Sequence, residues 1–88
     1  MTAKTVAEWM LAKIQKAKEI YQEDVVYEIE KKFGKEFVYD NDSGNLAIGK
    51  NVLREFRKLT EDIVVWERGG RFWRMREKSD PIGKRQAD

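Results

Sequence analysis

Two runs rich in hydrophobic residues, 63–66 and 72–75, flank a polar segment that contains a Gly-Gly pair, and this pattern predicts a two-stranded antiparallel ribbon. The Gly69-Gly70 pair at its centre can take positive φ at both positions, as a two-residue primed turn requires. That turn pairs Trp66 with Trp73, and a four-residue loop over residues 68–71 would keep the same register. Alternation then sorts the side chains of the ribbon onto two faces. The apolar face carries Val64, Trp66, Trp73 and Met75, and the mixed face carries Val65, Glu67, Phe72, Arg74 and Arg76.

Three segments upstream of the ribbon repeat apolar residues at helical spacing and are predicted to be helices. The first covers residues 6–18 and is expected to begin at a capping box formed by Thr5 and Glu8. The second covers residues 23–33, with Gly34 as a left-handed C-cap. Because an isolated hairpin is marginal in water, the helices are expected to cover the apolar face of the ribbon.

The third predicted helix covers residues 50–59 and follows Gly49, which fits the N-cap position. Residues 37–48 hold a β-prone run, a cluster of turn-forming residues and a second apolar run, so they predict a small hairpin. Ile20 and Tyr21, between the first two helices, fit a brief strand as well as a helix. The predicted fold class is therefore α+β, with three helices, a C-terminal β-hairpin and a small extra hairpin between helices two and three.

Composition narrows the chemistry that is open to the chain. It has 88 residues, with neither cysteine nor histidine. This length predicts one domain over residues 1–78, followed by a mobile polar tail over residues 79–88. The missing residue types exclude disulfides, thiol nucleophiles, zinc sites with cysteine or histidine ligands, and a histidine general base. No glycine-rich phosphate loop is present. We therefore expect a protein that is not an enzyme and has no cofactor.

No apolar run approaches the roughly 18 residues of a membrane span, and the N-terminus lacks the pattern of a secretory signal. These observations predict a cytoplasmic protein with no membrane partner.

The polar cluster at residues 40–45 is the best candidate for a metal site, because its oxygen-bearing side chains resemble a calcium-binding loop. Such a loop needs oxygen ligands at positions 1, 3 and 5, glycine at position 6 and glutamate at position 12. Counted from Asp40, those last three positions hold Gly44, Asn45 and Asn51. The pattern fails, so a hairpin turn is predicted here and no metal site.

Positive charge is concentrated in the second half of the chain. Residues 1–44 hold 7 Lys or Arg and 9 Asp or Glu, whereas residues 45–88 hold 11 and 7. The net charge of the whole chain is only +2, which by itself does not argue for a nucleic-acid partner. Its distribution, however, gives the third helix and the ribbon the excess of positive charge.

The order of three helices followed by a ribbon, over residues 5–76, resembles the winged helix-turn-helix superfamily. In that superfamily the third helix enters the DNA major groove, and the ribbon, or wing, contacts the backbone or the minor groove. The resemblance implies a winged-helix-like domain with duplex DNA as its partner, where arginine and asparagine suit base edges and lysine suits phosphates. One departure is the stretch of residues 34–48, where the superfamily usually has a short turn. The positions that would take these roles are Lys50, Asn51, Arg54, Arg57 and Lys58 on the third helix and Arg68 and Arg71 at the turn of the ribbon.

A protein-interaction or homodimerisation module is the alternative hypothesis. Total charge is near balance, and Phe72 lies with Arg74 on the mixed face of the ribbon, where an apolar ring could pack against another chain. Small domains often complete their core by association. These two residues are therefore candidate interface residues. The chain also resembles short bacterial or phage proteins, a resemblance that implies no activity.

Overall fold

The computed structural model of the protein describes residues 2–77 and 86–87. The fold is α+β, as predicted, and the three predicted helices and both predicted hairpins are confirmed. The helices are α1 (Ala3–Ala17), α2 (Gln22–Phe33) and α3 (Lys50–Thr60), and the strands are β1 (Glu19–Tyr21), β2 (Val38–Asp40), β3 (Leu46–Ile48), β4 (Val64–Glu67), β5 (Phe72–Met75) and β6 (Gln86–Ala87), with a 3₁₀ turn at Lys35–Phe37.

Helix α1 begins earlier than its sequence pattern predicted. Thr2 is the N-cap, and its hydroxyl accepts a hydrogen bond from the backbone N–H of Thr5 at 3.2 Å. The capping box of Thr5 and Glu8 is therefore wrong, because Thr5 already lies inside the first turn. The helix ends at Ala17, and its C-cap, Lys18, has a left-handed backbone with φ of 75° and donates its N–H to the carbonyl of Ile14.

Strand β1 follows at once and joins the C-terminal hairpin. It pairs antiparallel with β5, with Ile20 opposite Trp73, so the strand alternative for this segment is confirmed. The sheet has the order β1-β5-β4-β6, and β6 runs parallel to β4. The tail predicted over residues 79–88 otherwise falls outside the described residues, and within it Gln86–Ala87 form that last strand.

The hairpin has the predicted register, with Trp66 opposite Trp73, but a different turn. The four-residue loop is the one observed, and its left-handed residue is Arg71, with φ of 54°. Positive φ at both glycines is therefore a wrong prediction. Gly70 meets a steric requirement instead, since a Cβ at that position would lie 2.5 Å from Cε1 of the Phe72 ring.

The turn between β2 and β3 is built by its own polar side chains. The Asn41 Oδ1 accepts hydrogen bonds from the backbone N–H groups of Ser43 and Asn45, at 2.9 and 3.0 Å. Gly44 takes positive φ there, at 80°. The polar cluster that resembled a calcium loop thus folds the small hairpin, as an asparagine-led turn does in general.

The small hairpin also fixes the start of α3. Gly49 is the N-cap, as predicted, and donates its backbone N–H to the carbonyl of Phe37 at 2.7 Å. A Cβ at residue 49 would lie 2.9 Å from that same carbonyl oxygen, so glycine is needed for the close approach. At the end of α2, Gly34 has positive φ of 105°, but its ψ of 168° is extended and not left-handed helical as expected.

The core lies where α1 and α3 pack against each other and onto the apolar face of the hairpin. Trp73 is 6% exposed, and its ring meets Phe56 edge-on at 5.4 Å and Trp66 at 4.8 Å. Trp9 lies at the rim, against Phe33, with ring centres 5.6 Å apart. None of the helices in the described part of the chain is long and apolar enough to cross a membrane. The helical side of the core consists of Val6, Ala7, Met10, Ile14, Val25, Val26, Ile29, Val52 and Phe56.

Candidate nucleic-acid interface

Helix α3 has one strictly buried face. Val52, Phe56 and Thr60 recur every four residues and are all within 1% of full burial. This spacing places them on one side of the helix, where they pack against α1. The hydroxyl of Thr60 donates to the carbonyl of Phe56 at 2.7 Å, so the polar end of the buried row is satisfied inside the helix.

The opposite face of α3 is basic and exposed. Lys50, Arg54 and Arg57 lie at positions i, i+4 and i+7 of the helix and therefore form one stripe, with Lys58 beside it. All four side chains are exposed. We call these four residues the α3 basic stripe. Glu61, also exposed, continues the same row just past the helix, so positive charge ends there.

Lys58 of the stripe and the neighbouring Asn51 both have partners within α3. Lys58 Nζ lies 3.4 Å from Glu55 Oε2, an exposed ion pair of a kind that contributes little to stability. The Asn51 Oδ1 accepts from the backbone N–H of Val52 at 2.9 Å. This bond uses one of the two lone pairs of Oδ1, so the second lone pair and the amino group are left for the bidentate recognition of adenine.

Of the two arginines of the hairpin turn, Arg71 lies in surroundings that differ from those of the α3 basic stripe. Arg68 and Arg71 are both exposed. The carbonyl of Arg71 accepts from the backbone N–H of Gln22 at 3.1 Å, which ties the turn to the start of α2. Arg71 also lines a cleft there, and none of the α3 residues lines it. The residues predicted to bind nucleic acid therefore do not all lie together, because Arg71 lies beside α2 and the α3 basic stripe lies on α3.

The two candidate interface residues have partners within the chain. The Phe72 ring stacks on Tyr21, with ring centres 4.9 Å apart and planes tilted by 34°. Arg74 Nε lies 2.6 Å from Glu67 Oε1, across the two strands of the hairpin. Both predicted residues are half-buried. On the mixed face of the ribbon, the Phe72 ring and the Arg74 guanidinium therefore both have partners within the same chain.

The cleft beside Arg71 was missed by the sequence analysis. It measures about 320 Å³ and lies between the start of α2, the small hairpin and the turn of the C-terminal hairpin. Tyr21 and Tyr27 both line it and are 43% and 57% exposed. The available signal was Tyr27, an aromatic residue that lies off the apolar row of Val26, Ile29 and Phe33 in the second predicted helix.

Residues 2–75 match the model of a family described as "Family of unknown function (DUF6953)", and the chain belongs to that family. The match spans all three helices and both hairpins. Comparisons with curated proteins and with solved structures gave no significant match. Membership brings no activity with it, so function has to be inferred from the residues themselves.

Proposed function

We propose that this protein binds duplex DNA through the α3 basic stripe. The observation that carries the proposal is the division of α3 into two faces. Val52, Phe56 and Thr60 are buried on the side that packs against α1, and four exposed cations occupy the other side. A helix of this kind fits the width of the major groove, with cations in reach of phosphates and arginines in reach of guanine edges.

The alternative, a protein-interaction or homodimerisation module, has less support. Its motivation was the apolar ring of Phe72 on the mixed face of the hairpin. That ring has an aromatic partner in Tyr21 of the same chain. A partner chain is therefore not needed to cover it.

The stripe predicts how affinity depends on salt. Each phosphate neutralised by a cation releases counterions, and the logarithm of affinity then falls against the logarithm of salt with a slope of about −0.9 per phosphate. Four contacts correspond to a slope between about −3 and −4, or roughly a hundredfold loss of affinity from 50 to 200 mM salt. A fluorescence-anisotropy titration of a labelled random-sequence duplex measures this slope.

The double variant Arg54→Ala with Arg57→Ala tests the location of the site. It removes two exposed charges from α3, so we expect weaker binding and a salt slope shallower by about 2. Its matched control is Lys16→Ala with Lys31→Ala, which removes two exposed charges from α1 and α2. The control should bind nearly as the parent does. No binding at low salt, or equal losses in both variants, would refute the proposal.

A further inference from the structure

The cleft beside Arg71 combines an apolar base with exposed rings at its edge. Val26 and Ala47, which are 2% and 8% exposed, form the base. Tyr21 and Tyr27 line the cleft and remain open to solvent. Its volume of about 320 Å³ falls at the lower end of the range of small-molecule sites.

The backbone of Arg71 has an unusual conformation at this cleft, and two contacts hold it there. Its φ of 54° is left-handed, a region that residues other than glycine, asparagine and aspartate rarely adopt. Its carbonyl is hydrogen-bonded to the N–H of Gln22 at the start of α2. The turn before it is packed under the Phe72 ring, which covers Gly70 and stacks on Tyr21. Non-glycine strain of this kind is found where surrounding structure enforces it, often at binding sites.

The charged groups of the cleft have opposite signs. Arg71 supplies a guanidinium that suits a carboxylate or a phosphate. Glu23, in the first turn of α2, supplies a carboxylate that accepts from an ammonium or an N–H group. Asn45 adds a side-chain amide on the side of the small hairpin. A ligand matching all of these would carry one anionic group, one N–H donor and a flat apolar ring.

We propose that this cleft binds a small molecule of that description, with its anionic group on Arg71, its N–H donor on Glu23 and its ring against Tyr21 and Tyr27. Aromatic amino acids and purine nucleotides both have this chemistry. The proposal is independent of DNA binding, because no residue of α3 lines the cleft.

Titrations followed by ¹H–¹⁵N NMR test the site with two probes, free L-phenylalanine and adenosine monophosphate. We expect saturable shifts of the amide signals of Tyr27, Asn45 and Ala47 with at least one of them, and the probe that shifts them identifies the source of the ligand. Within the phenylalanine arm, 3-phenylpropionate lacks the ammonium and phenethylamine lacks the carboxylate. Each should bind more weakly than the amino acid. Absence of saturable shifts with both probes at millimolar concentration would overturn the proposal.

A pair of neighbouring arginines supplies the matched control. Arg71→Gln removes the guanidinium of the cleft and should weaken binding of the active probe about tenfold or more, as expected for the loss of a charge-assisted hydrogen bond. Arg68→Gln makes the same change in the same turn at a residue that does not line the cleft, and should leave affinity within about twofold of the parent. Both spectra report directly whether the variant is folded. Equal effects of the two substitutions would overturn the assignment of Arg71.

Discussion

Replacing Trp73 by alanine should destabilise this protein more than any other single change in the hairpin. Trp73 lies in the middle of the sheet, between Ile20 of β1 and Trp66 of β4. Deleting a buried large aromatic side chain costs about 3–5 kcal/mol. The cost should fall at the upper end, because the ring is 6% exposed and loses two aromatic contacts, to Phe56 and Trp66, each worth about 0.5–1.5 kcal/mol.

The effect of Trp73→Ala can be compared with substitutions of two other aromatic residues of the hairpin. Trp66 is half-buried and its ring pairs with Trp73, so Trp66→Ala should cost about 2–3 kcal/mol. Phe72 lies on the opposite face and stacks on Tyr21, so Phe72→Ala should cost about 1–2 kcal/mol. Urea melts followed by far-ultraviolet circular dichroism measure all three, since tryptophan fluorescence is itself altered by the variants.

Total stability of an 88-residue domain is about 5–10 kcal/mol, so Trp73→Ala should leave the chain close to unfolded. Trp73→Phe keeps an aromatic ring in place and should retain a measurable transition. The order of losses is the test: a loss for Phe72→Ala as large as that for either tryptophan would mean that the covered face of the hairpin has been assigned to the wrong side.

Two further predictions concern the backbone. Arg71→Gly should raise the free energy of unfolding by about 0.5 kcal/mol, because glycine adopts positive φ without strain. Arg71→Ala keeps the strained φ and should change the free energy of unfolding little. A lower urea midpoint for the glycine variant than for the parent would contradict this prediction. Thr2→Ala should lower the free energy of unfolding by about 0.5–1 kcal/mol through loss of the N-cap, and Thr5→Ala should lower it less, as thermal melts of the two variants would report. The reverse order for the threonines would restore Thr5 as the cap.

Much of the candidate DNA surface could be predicted because it depends on one helix. The spacing of Val52 and Phe56 sets which side of α3 is buried, and that leaves Arg54 and Arg57 on the exposed side in any fold that buries the apolar row. The position of Arg71 could not be predicted in this way. Its surroundings come from α2 and the small hairpin, which lie far from it along the chain.

The polar turn of the small hairpin could be predicted because it depends on local hydrogen bonds. Asparagine and glycine at residues 41 and 44 predict a tight turn whatever surrounds them, since the Asn41 side chain bonds to backbone groups two and four residues ahead. The start of α1 was predicted too late because the prediction relied on the local capping-box pattern of Thr5 and Glu8, whereas Thr2 caps a helix that begins at Ala3.

The sequence by itself determined the helices and both hairpins, because helical spacing and turn-forming residues are local features, and the position of the Gly69-Gly70 pair determined the pairing of Trp66 with Trp73. Only the tertiary structure decided that β1 joins the hairpin, since three residues carry too little pattern to select a partner strand. It also decided which turn residue is left-handed. The Phe72 ring lies against Gly70 and contacts Tyr21, a residue about fifty positions away, and the positive φ of the turn is at Arg71. Contacts between distant segments set such details, and no local pattern encodes them.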